Sequence, residues 1–228
     1  MKICGMMRLS EIDQIKVGIR LMKLSIMSLS EKVSKLYFLQ IGNISEEIIN
    51  FIYSLNKEVK IVKSVEIYSS GWNFRNNESL NDLYKIIDEK FDWILYPDAD
   101  DILPENIIEL IETADTINAE TIRLHFIECF GNENKIIEMK NGFPIGPHFK
   151  AVIHRDDITF MNSEGFNEAT SSVPLKRYET EYCVRHLRYA TEENINARKN
   201  MNYIQEYFLQ DHETIDFKEN EKVNYYKR

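Results

Sequence analysis

Three aspartates stand close together in the stretch DWILYPDADDILP, residues 92–104, directly after a short apolar run. Asp98 and Asp100 are separated by one residue, so in extended backbone their side chains point to the same side. Two carboxylates placed in this way repel each other without a cation, and hard oxygen ligands suit Mg²⁺ or Mn²⁺. Such an ion binds substrate phosphates and stabilises charge on a departing phosphate. The spacing therefore predicts a metal site for transfer from a nucleotide-linked donor.

The same aspartates have a structural alternative, which is an acidic turn that caps the next helix. Asp101 fits this alternative well because it stands directly before the helical pattern ILPENII. We interpret Asp98 and Asp100 as metal ligands because their spacing agrees with their position at the end of an apolar strand.

The chain before the aspartates alternates between strand patterns and helical patterns. Helical spacing of apolar residues is clear in SEIDQIKVGIRLMKLSIMS, and Ser10 and Ser45 are suitable N-caps. This alternation predicts a mostly parallel sheet with helices on both faces. Ligands of such sheets bind outside the carboxyl ends of the strands, which is where the aspartates lie. We predict strands over 2–8, 35–42, 59–68 and 92–97, and helices over 10–28, 45–56 and 77–90.

The second half of the chain has a looser pattern, with glycines and prolines marking turns between residues 142 and 147. Thr191 is a suitable N-cap for a final helix, with two glutamates in its first turn. The residues after this helix are polar. We predict a helix over 103–114, strands over 121–130 and 150–155, a C-terminal helix over 191–210 and a polar tail over 211–228.

The composition limits the class of protein. The chain has 228 residues, of which 43% are hydrophobic, enough for a single domain with a substantial core. The formal net charge of −9 argues against a protein that mainly grips nucleic-acid phosphates, although it leaves room for a local basic patch. Three widely spaced cysteines indicate free thiols in a reducing compartment. With no apolar run long enough for a signal peptide or a membrane span, we predict a cytoplasmic protein.

The strand that ends in DWILYPDADD and is followed by a Pro-led helix resembles the Asp-x-Asp region of GT-A glycosyltransferases, especially family 2. The order of elements from KICGMMRLSEIDQIKVGI through LYFLQIGNISEEII is also similar, and the resemblance spans most of residues 2–200. It implies an α/β fold of one Rossmann-like GT-A domain over 1–210. The nucleotide-sugar half would cover about 1–115 and the acceptor half about 116–210.

The resemblance also implies roles for individual residues. Asp98 would contact the nucleotide ribose and the metal, and Asp100 would be the principal metal ligand. A later histidine often completes the set in this family, and the matching position in YCVRHLRYATEEN is His186. Imidazole is an acceptable ligand for Mn²⁺-like ions. The alternative for His186 is a strand-end histidine in ordinary hydrogen bonds.

The family binds the donor with segments that follow the second and third strands. Asn43 lies in the first segment, and Trp72 and Arg75 lie in the second, SSGWNFRNNESLN. The resemblance implies that Arg75 meets the diphosphate and that Trp72 packs on a sugar or base. Core packing for Trp72 and a surface salt bridge for Arg75 are the alternatives. This sequence has Gln40, Asn43 and Ser45 where acidic and hydroxyl residues are expected, which leaves the nucleotide open, with a UDP-sugar favoured.

A general base is needed on the acceptor side if the transfer inverts the sugar. The segment SEGFNEATSS resembles a family segment that often reads Gly-x-His-Glu, and Glu168 occupies the position of the glutamate. Glu168 is therefore the candidate base, Asp156 and Asp157 are weaker candidates, and the alternative for Glu168 is an acidic loop residue.

The predicted activity is transfer of a sugar from a nucleoside-diphosphate sugar to an acceptor hydroxyl, with Mn²⁺ or Mg²⁺ as cofactor. The acceptor stays open among a glycan, a lipid carrier, a protein and a modified nucleic-acid base. A nucleotidyltransferase is a second hypothesis, although such enzymes usually have a Gly-rich, basic first loop, and GMMRLSEID has one glycine and one arginine. A non-catalytic nucleotide-binding relative is the third.

Overall fold

The computed structural model describes residues 1–64, 75–138, 149–153, 157–163, 166–198 and 213–217. The helices are α1 (Glu11–Val17), α2 (Ile19–Ser30), α3 (Glu46–Ser54), α4 (Arg75–Lys85), α5 (Ile107–Thr116) and α6 (Glu192–Arg198). The strands of the first half are β1 (Ile3–Ser10), β2 (Lys35–Ile41), β3 (Glu58–Lys63), β4 (Trp93–Leu95) and β5 (Asp101–Ile102). Those of the second half are β6 (Thr121–Phe130), β7 (Lys135–Glu138), β8 (Phe149–Ile153), β9 (Thr159–Ser163), β10 (Phe166–Thr170), β11 (Arg177–Tyr189) and β12 (Glu213–Asp216).

The central sheet confirms the predicted fold class. Its first four strands are parallel in the order β3-β2-β1-β4. Antiparallel β8 continues the sheet beside β4, and β6, β7 and β12 follow it. β11 lies parallel to β6 and antiparallel to β5, while β9 and β10 form a separate hairpin. The carboxyl ends of β1, β2 and β4 therefore meet at one edge of the sheet.

The sheet is covered on both faces, which explains why β1 and β2 read as continuous apolar runs. Successive side chains alternate between two cores, with Met7 and Leu9 on the face that packs against α2, α3 and α5. Met6 lies on the opposite face, with α4 and Phe160 of the β9–β10 hairpin. Both methionines are fully buried. This double coverage fixes the strands that carry the candidate site.

The predicted helix over 10–28 is two helices, because the helical conformation is interrupted at Gly18. Gly18 has φ 89°, a left-handed conformation that favours glycine, and its N–H donates to the carbonyl of Gln14. The predicted N-cap is confirmed, since the Ser10 hydroxyl accepts from the backbone N–H of Asp13 at 2.9 Å. The break at Gly18 therefore separates α1, which follows β1 directly, from the core helix α2.

Several predicted bounds also move. The described part of the third strand is Glu58–Lys63, and residues 65–74 lie outside the described residues. The helix predicted over 103–114 begins at Ile107, and the Pro104 carbonyl accepts from the N–H of Ile107. α6 covers the start of the predicted C-terminal helix, and residues 199–210 lie outside the description. Within the predicted polar tail, β12 pairs with β7.

We expect Gly5→Ala to destabilise the protein by about 1–3 kcal/mol, because β1 and α2 pack too closely for a side chain there. A Cβ on Gly5 would lie 2.8 Å from side-chain atoms of Leu29, which is fully buried. Chemical denaturation measures the loss. In a double-mutant cycle, Leu29→Ala should be less damaging in the Gly5→Ala background than in the wild type. Additive effects would contradict the steric explanation.

Candidate functional site

The candidate site lies at the carboxyl edge of the parallel sheet, in the turn between β4 and β5. The carboxylate of Asp101 closes this turn by accepting from the backbone N–H of Asp98 at 2.7 Å. The Asp101 N–H donates to the Asp98 carbonyl at 3.1 Å. β5 then pairs with β11, where Asp101 lies opposite His186, and the Leu187 N–H donates to the Asp100 carbonyl at 2.7 Å. Backbone bonds thus hold the aspartate turn against β11.

His186 lies between two carboxylates. Its Nε2 is 3.0 Å from Oδ2 of Asp100, and its Nδ1 is 2.9 Å from both carboxylate oxygens of Glu128. Glu128 comes from β6, which pairs in parallel with β11 so that His186 and Glu128 are direct neighbours. The side chains of His186 and Glu128 are each 9% exposed and that of Asp100 is 16% exposed. The three groups therefore interact with little screening by water.

The electrostatics of this trio favour an ion pair. Burial opposes a charged imidazole, but the carboxylates of Asp100 and Glu128 outweigh burial and raise the pKa of His186 to about 10. Burial likewise disfavours a charged Asp100, but His186 outweighs it and lowers the pKa of Asp100 to about 2. At neutral pH His186 is therefore an imidazolium. Its positive charge compensates the carboxylates of Asp100 and Glu128, as a bound metal ion beside Asp100 would do.

Asp100, Asp101 and His186 can also form a metal-binding group. One potential ligand atom from each residue lies within 4.8 Å of the others. Two carboxylates and an imidazole fit the preferences of Mn²⁺ and also of Mg²⁺ with several retained waters. The residues therefore fit the ion that the sequence predicts. Asp101 belongs to this group and does not cap the next helix, because the N-cap of α5 is Asn106.

Asp98 has a different environment from Asp100. Its Oδ1 pairs with the guanidinium of Arg8 at 2.7 Å, and Arg8 also donates to the Ser79 hydroxyl at 3.1 Å. The side chain of Asp98 is 38% exposed, whereas that of Arg8 is 11% exposed. The structure thus brings Asp100 and His186 together and places Asp98 at the rim beside a buried cation, outside the group of three ligand atoms.

Asp13 is a further acidic residue at this edge of the sheet, in the first turn of α1. Burial and then the charge of Asp100 raise its pKa, against a hydrogen bond from Ser10. Asp13 follows β1 as Asp98 follows β4, and neighbouring parallel strands end at the same edge. That adjacency is the signal that could have linked the two segments.

Glu128 was also missed, because TIRLHFIECF indicated a core strand. Its neighbours Ile127 and Cys129 are buried. A single carboxylate between two apolar residues was the sequence signal that could have identified Glu128 as a functional residue. A buried carboxylate needs a compensating partner, yet nothing local in the sequence identifies His186 as that partner.

The loop after β2 carries Asn43, the predicted donor contact. The backbone N–H of Asn43 donates to the carboxylate of Glu11 at 3.0 Å, and the N–H of Ser45 donates to the side-chain oxygen of Gln14 at 2.7 Å. The Gln40 side chain donates to a backbone carbonyl in the same loop at 3.1 Å. Side chains of α1 therefore hold the loop, and the Asn43 side chain is exposed.

The remaining predicted site residues lie wholly or partly outside the described residues. Trp72 belongs to the undescribed stretch 65–74, and Asp156 to 154–156. Arg75 begins α4 and Glu168 lies in β10 opposite Met161, but their side chains are outside the description. Their predicted roles in donor binding and catalysis stay predictions.

No protein-family model and no curated protein matches the sequence. Among solved structures, the chain is similar to TarS 1-349 from S. aureus, with 10% identity, 92% of this chain and 75% of that chain covered, and a TM-score of 0.49. It is similar to 4-diphosphocytidyl-2C-methyl-D-erythritol synthase from Anaerococcus prevotii, with 10% identity, 67% and 70% covered, and a TM-score of 0.44.

A third similar structure is glucosyl-3-phosphoglycerate synthase from Mycobacterium tuberculosis in complex with Mg²⁺ and uridine diphosphate. Its identity is 13%, with 55% of this chain and 43% of that chain covered, and its TM-score is 0.38. The similar structures include GT-A-type glycosyltransferases, the class that the Asp-x-Asp resemblance suggested.

Within the described residues, no helix is long and apolar enough to cross a bilayer.

Proposed function

We propose that this protein is a metal-dependent glycosyltransferase that moves a sugar from a nucleoside-diphosphate sugar to an acceptor hydroxyl, with inversion. The observation that carries the proposal is the group formed by Asp100, Asp101 and His186 at the carboxyl edge of the parallel sheet. Ligands of open α/β sheets bind at this edge, and this ligand set suits Mn²⁺ or Mg²⁺. A bound ion there would neutralise charge on a diphosphate leaving group.

The residues around the group have distinct tasks in this proposal. Asp100 and His186 hold the ion, and Asp98, restrained by Arg8 at 2.7 Å, faces the ribose from the rim. Asn43, Trp72 and Arg75 contact the donor, as the resemblance to GT-A enzymes implies. In this proposal the domain has a nucleotide-sugar half over about 1–115 and an acceptor half over about 116–210. The proposed location of the protein is the cytoplasm.

Glu168 is the proposed base that removes the proton of the acceptor hydroxyl. We expect Glu168→Gln to lower kcat by about 10²- to 10⁴-fold, the range that general-base catalysis contributes, and to leave donor binding intact. Asp157→Asn tests the weaker candidate, whose carboxylate is exposed and accepts from the Ser172 hydroxyl at 2.8 Å. Unchanged turnover in Glu168→Gln, or a larger loss in Asp157→Asn, would remove Glu168 as the base.

The proposal is tested by thermal unfolding with a panel of nucleoside-diphosphate sugars, with and without Mn²⁺. We expect one nucleotide, UDP being favoured, to raise Tm by about 5 °C at a hundredfold excess over Kd, because a ligand of the folded state stabilises it by mass action. The increase should require the metal. Sugar transfer from the same donor to a glycan, lipid, protein or nucleic-acid acceptor is then measured.

The other hypotheses predict different results in the same experiment. Stabilisation by a nucleoside triphosphate, with pyrophosphate release from a sugar phosphate, would favour a nucleotidyltransferase. Metal-dependent nucleotide binding without turnover on any acceptor would favour a non-catalytic relative. No stabilisation by any nucleotide, with or without Mn²⁺, would contradict the proposed donor site.

A further inference from the structure

Glu128 makes a two-oxygen contact with the buried imidazole of His186. Both oxygens lie 2.9 Å from Nδ1, and both side chains are 9% exposed. The contact is long-range, because the partners are 58 positions apart in the sequence, and the direct pairing of His186 with Glu128 on β11 and β6 supports it. The orientation of the ring is thus fixed from the side opposite Asp100.

When Glu128 fixes Nδ1 of His186, it also fixes the direction in which Nε2 points. With Nδ1 donating to Glu128, Nε2 faces Oδ2 of Asp100 at 3.0 Å, on the side where Asp101 also lies. A histidine that binds a metal commonly donates its other N–H to a carboxylate, which sets the tautomer and the ring orientation. The geometry of His186 has this form, with Asp100 marking the metal side.

We propose that Glu128 is a positioning residue, which holds Nδ1 of His186 so that Nε2 is presented to an ion bound by Asp100. This inference rests on the metal-dependent function proposed above. Glu128 lies behind the imidazole and acts through it. The ranking of its variants should therefore follow the reach of the side chain to Nδ1 rather than its charge.

Two variants separate reach from charge. Glu128→Gln keeps the length and an oxygen that accepts from Nδ1, but removes the charge. Glu128→Asp keeps the charge but is one methylene shorter, so it reaches Nδ1 poorly. We expect Glu128→Asp to weaken Mn²⁺ binding by about 10- to 100-fold, and Glu128→Gln to weaken it by less. Isothermal titration with Mn²⁺ alone measures both, and pulsed electron paramagnetic resonance detects the histidine nitrogen on Mn²⁺.

The control variant is Glu133→Gln, which removes a carboxylate just after β6 that pairs with Arg20 at 2.8 Å. It should bind Mn²⁺ as the wild type does. Tighter binding by Glu128→Asp than by Glu128→Gln would mean that charge dominates, and wild-type binding by both would mean that Glu128 has no role. Either result overturns the proposal.

Failure of the metal site itself gives a different pattern. If the wild type does not bind Mn²⁺, or if His186→Ala binds it equally well, the proposed function fails in its metal requirement.

Crystal structures of the metal-free wild type and of metal-free Glu128→Asp test the positioning of His186 directly. We expect the ring in Glu128→Asp to turn Nε2 away from Asp100, and an unchanged ring would overturn the role of Glu128.

Discussion

Asp100→Asn should remove metal-dependent donor binding and lower kcat by at least about 10²-fold. The carboxylate of Asp100 lies 3.0 Å from His186 Nε2 and belongs to the group that can hold the ion. Loss of a carboxylate behind a ligand costs about 10- to 100-fold in metal affinity, so loss of a direct ligand should cost at least as much. Weaker stabilisation of the leaving group then slows the transfer. Mn²⁺ titration and initial-rate kinetics measure the two effects.

The control is Asp92→Asn, at the opposite end of the same short strand. Asp92 accepts from the backbone N–H of Lys2 at 2.6 Å, so the substitution also removes a charged hydrogen-bond acceptor. This variant should keep its Mn²⁺ affinity and turnover. If Asp100→Asn is folded by circular dichroism and retains a metal-dependent Tm increase, the ion is bound elsewhere.

The metal-free protein should lose stability as pH rises from about 6.5 towards 10. The pKa of His186 rises from 6.5 to about 10 on folding, because the charges of Asp100 and Glu128 outweigh burial. A raised pKa stabilises the folded state fully below the unfolded value, and this contribution is lost as pH rises through the folded value. The free energy of unfolding should fall by roughly 1 kcal/mol for each pH unit between 6.5 and 8.5.

Urea denaturation at several pH values in a chelator measures this slope. The range ends at 8.5 because the buried thiols of Cys4 and Cys183, with pKa values raised to about 12 from 9.0, add their own loss above it. His186→Gln should flatten the slope in this range. An equal slope in His186→Gln would show that another group titrates and that the ion pair with Asp100 does not form.

The order of elements could be predicted from the sequence because it depends on local patterns. The continuous apolar runs of β1 and β2 indicated buried parallel strands, and Ser10 and Ser45 marked the starts of α1 and α3. The Asp98–Asp101 turn could be placed at a strand end for the same reason. Helix propensity and apolar spacing did not reveal the break at Gly18, because the pattern continues across it.

The contacts of the candidate site could not be predicted, because they join segments that are far apart in the chain. Arg8 meets Asp98 across 90 residues, and His186 meets Glu128 across 58. Both depend on strand pairing and register: β1 lies beside β4, and β11 lies between β5 and β6. Register determines which face each side chain occupies, and a one-residue shift would move Glu128 away from His186.

Local sequence patterns were sufficient to predict the α/β fold class and a cluster of aspartates directly after a buried strand. The tertiary structure alone determined that Asp100, Asp101 and His186 form one group, that Asp98 pairs with Arg8, and that Glu128 lies behind the imidazole. The physical reason is that secondary structure follows from interactions between near neighbours in the chain. A buried charge instead acquires its partner only when distant strands pack together and exclude water.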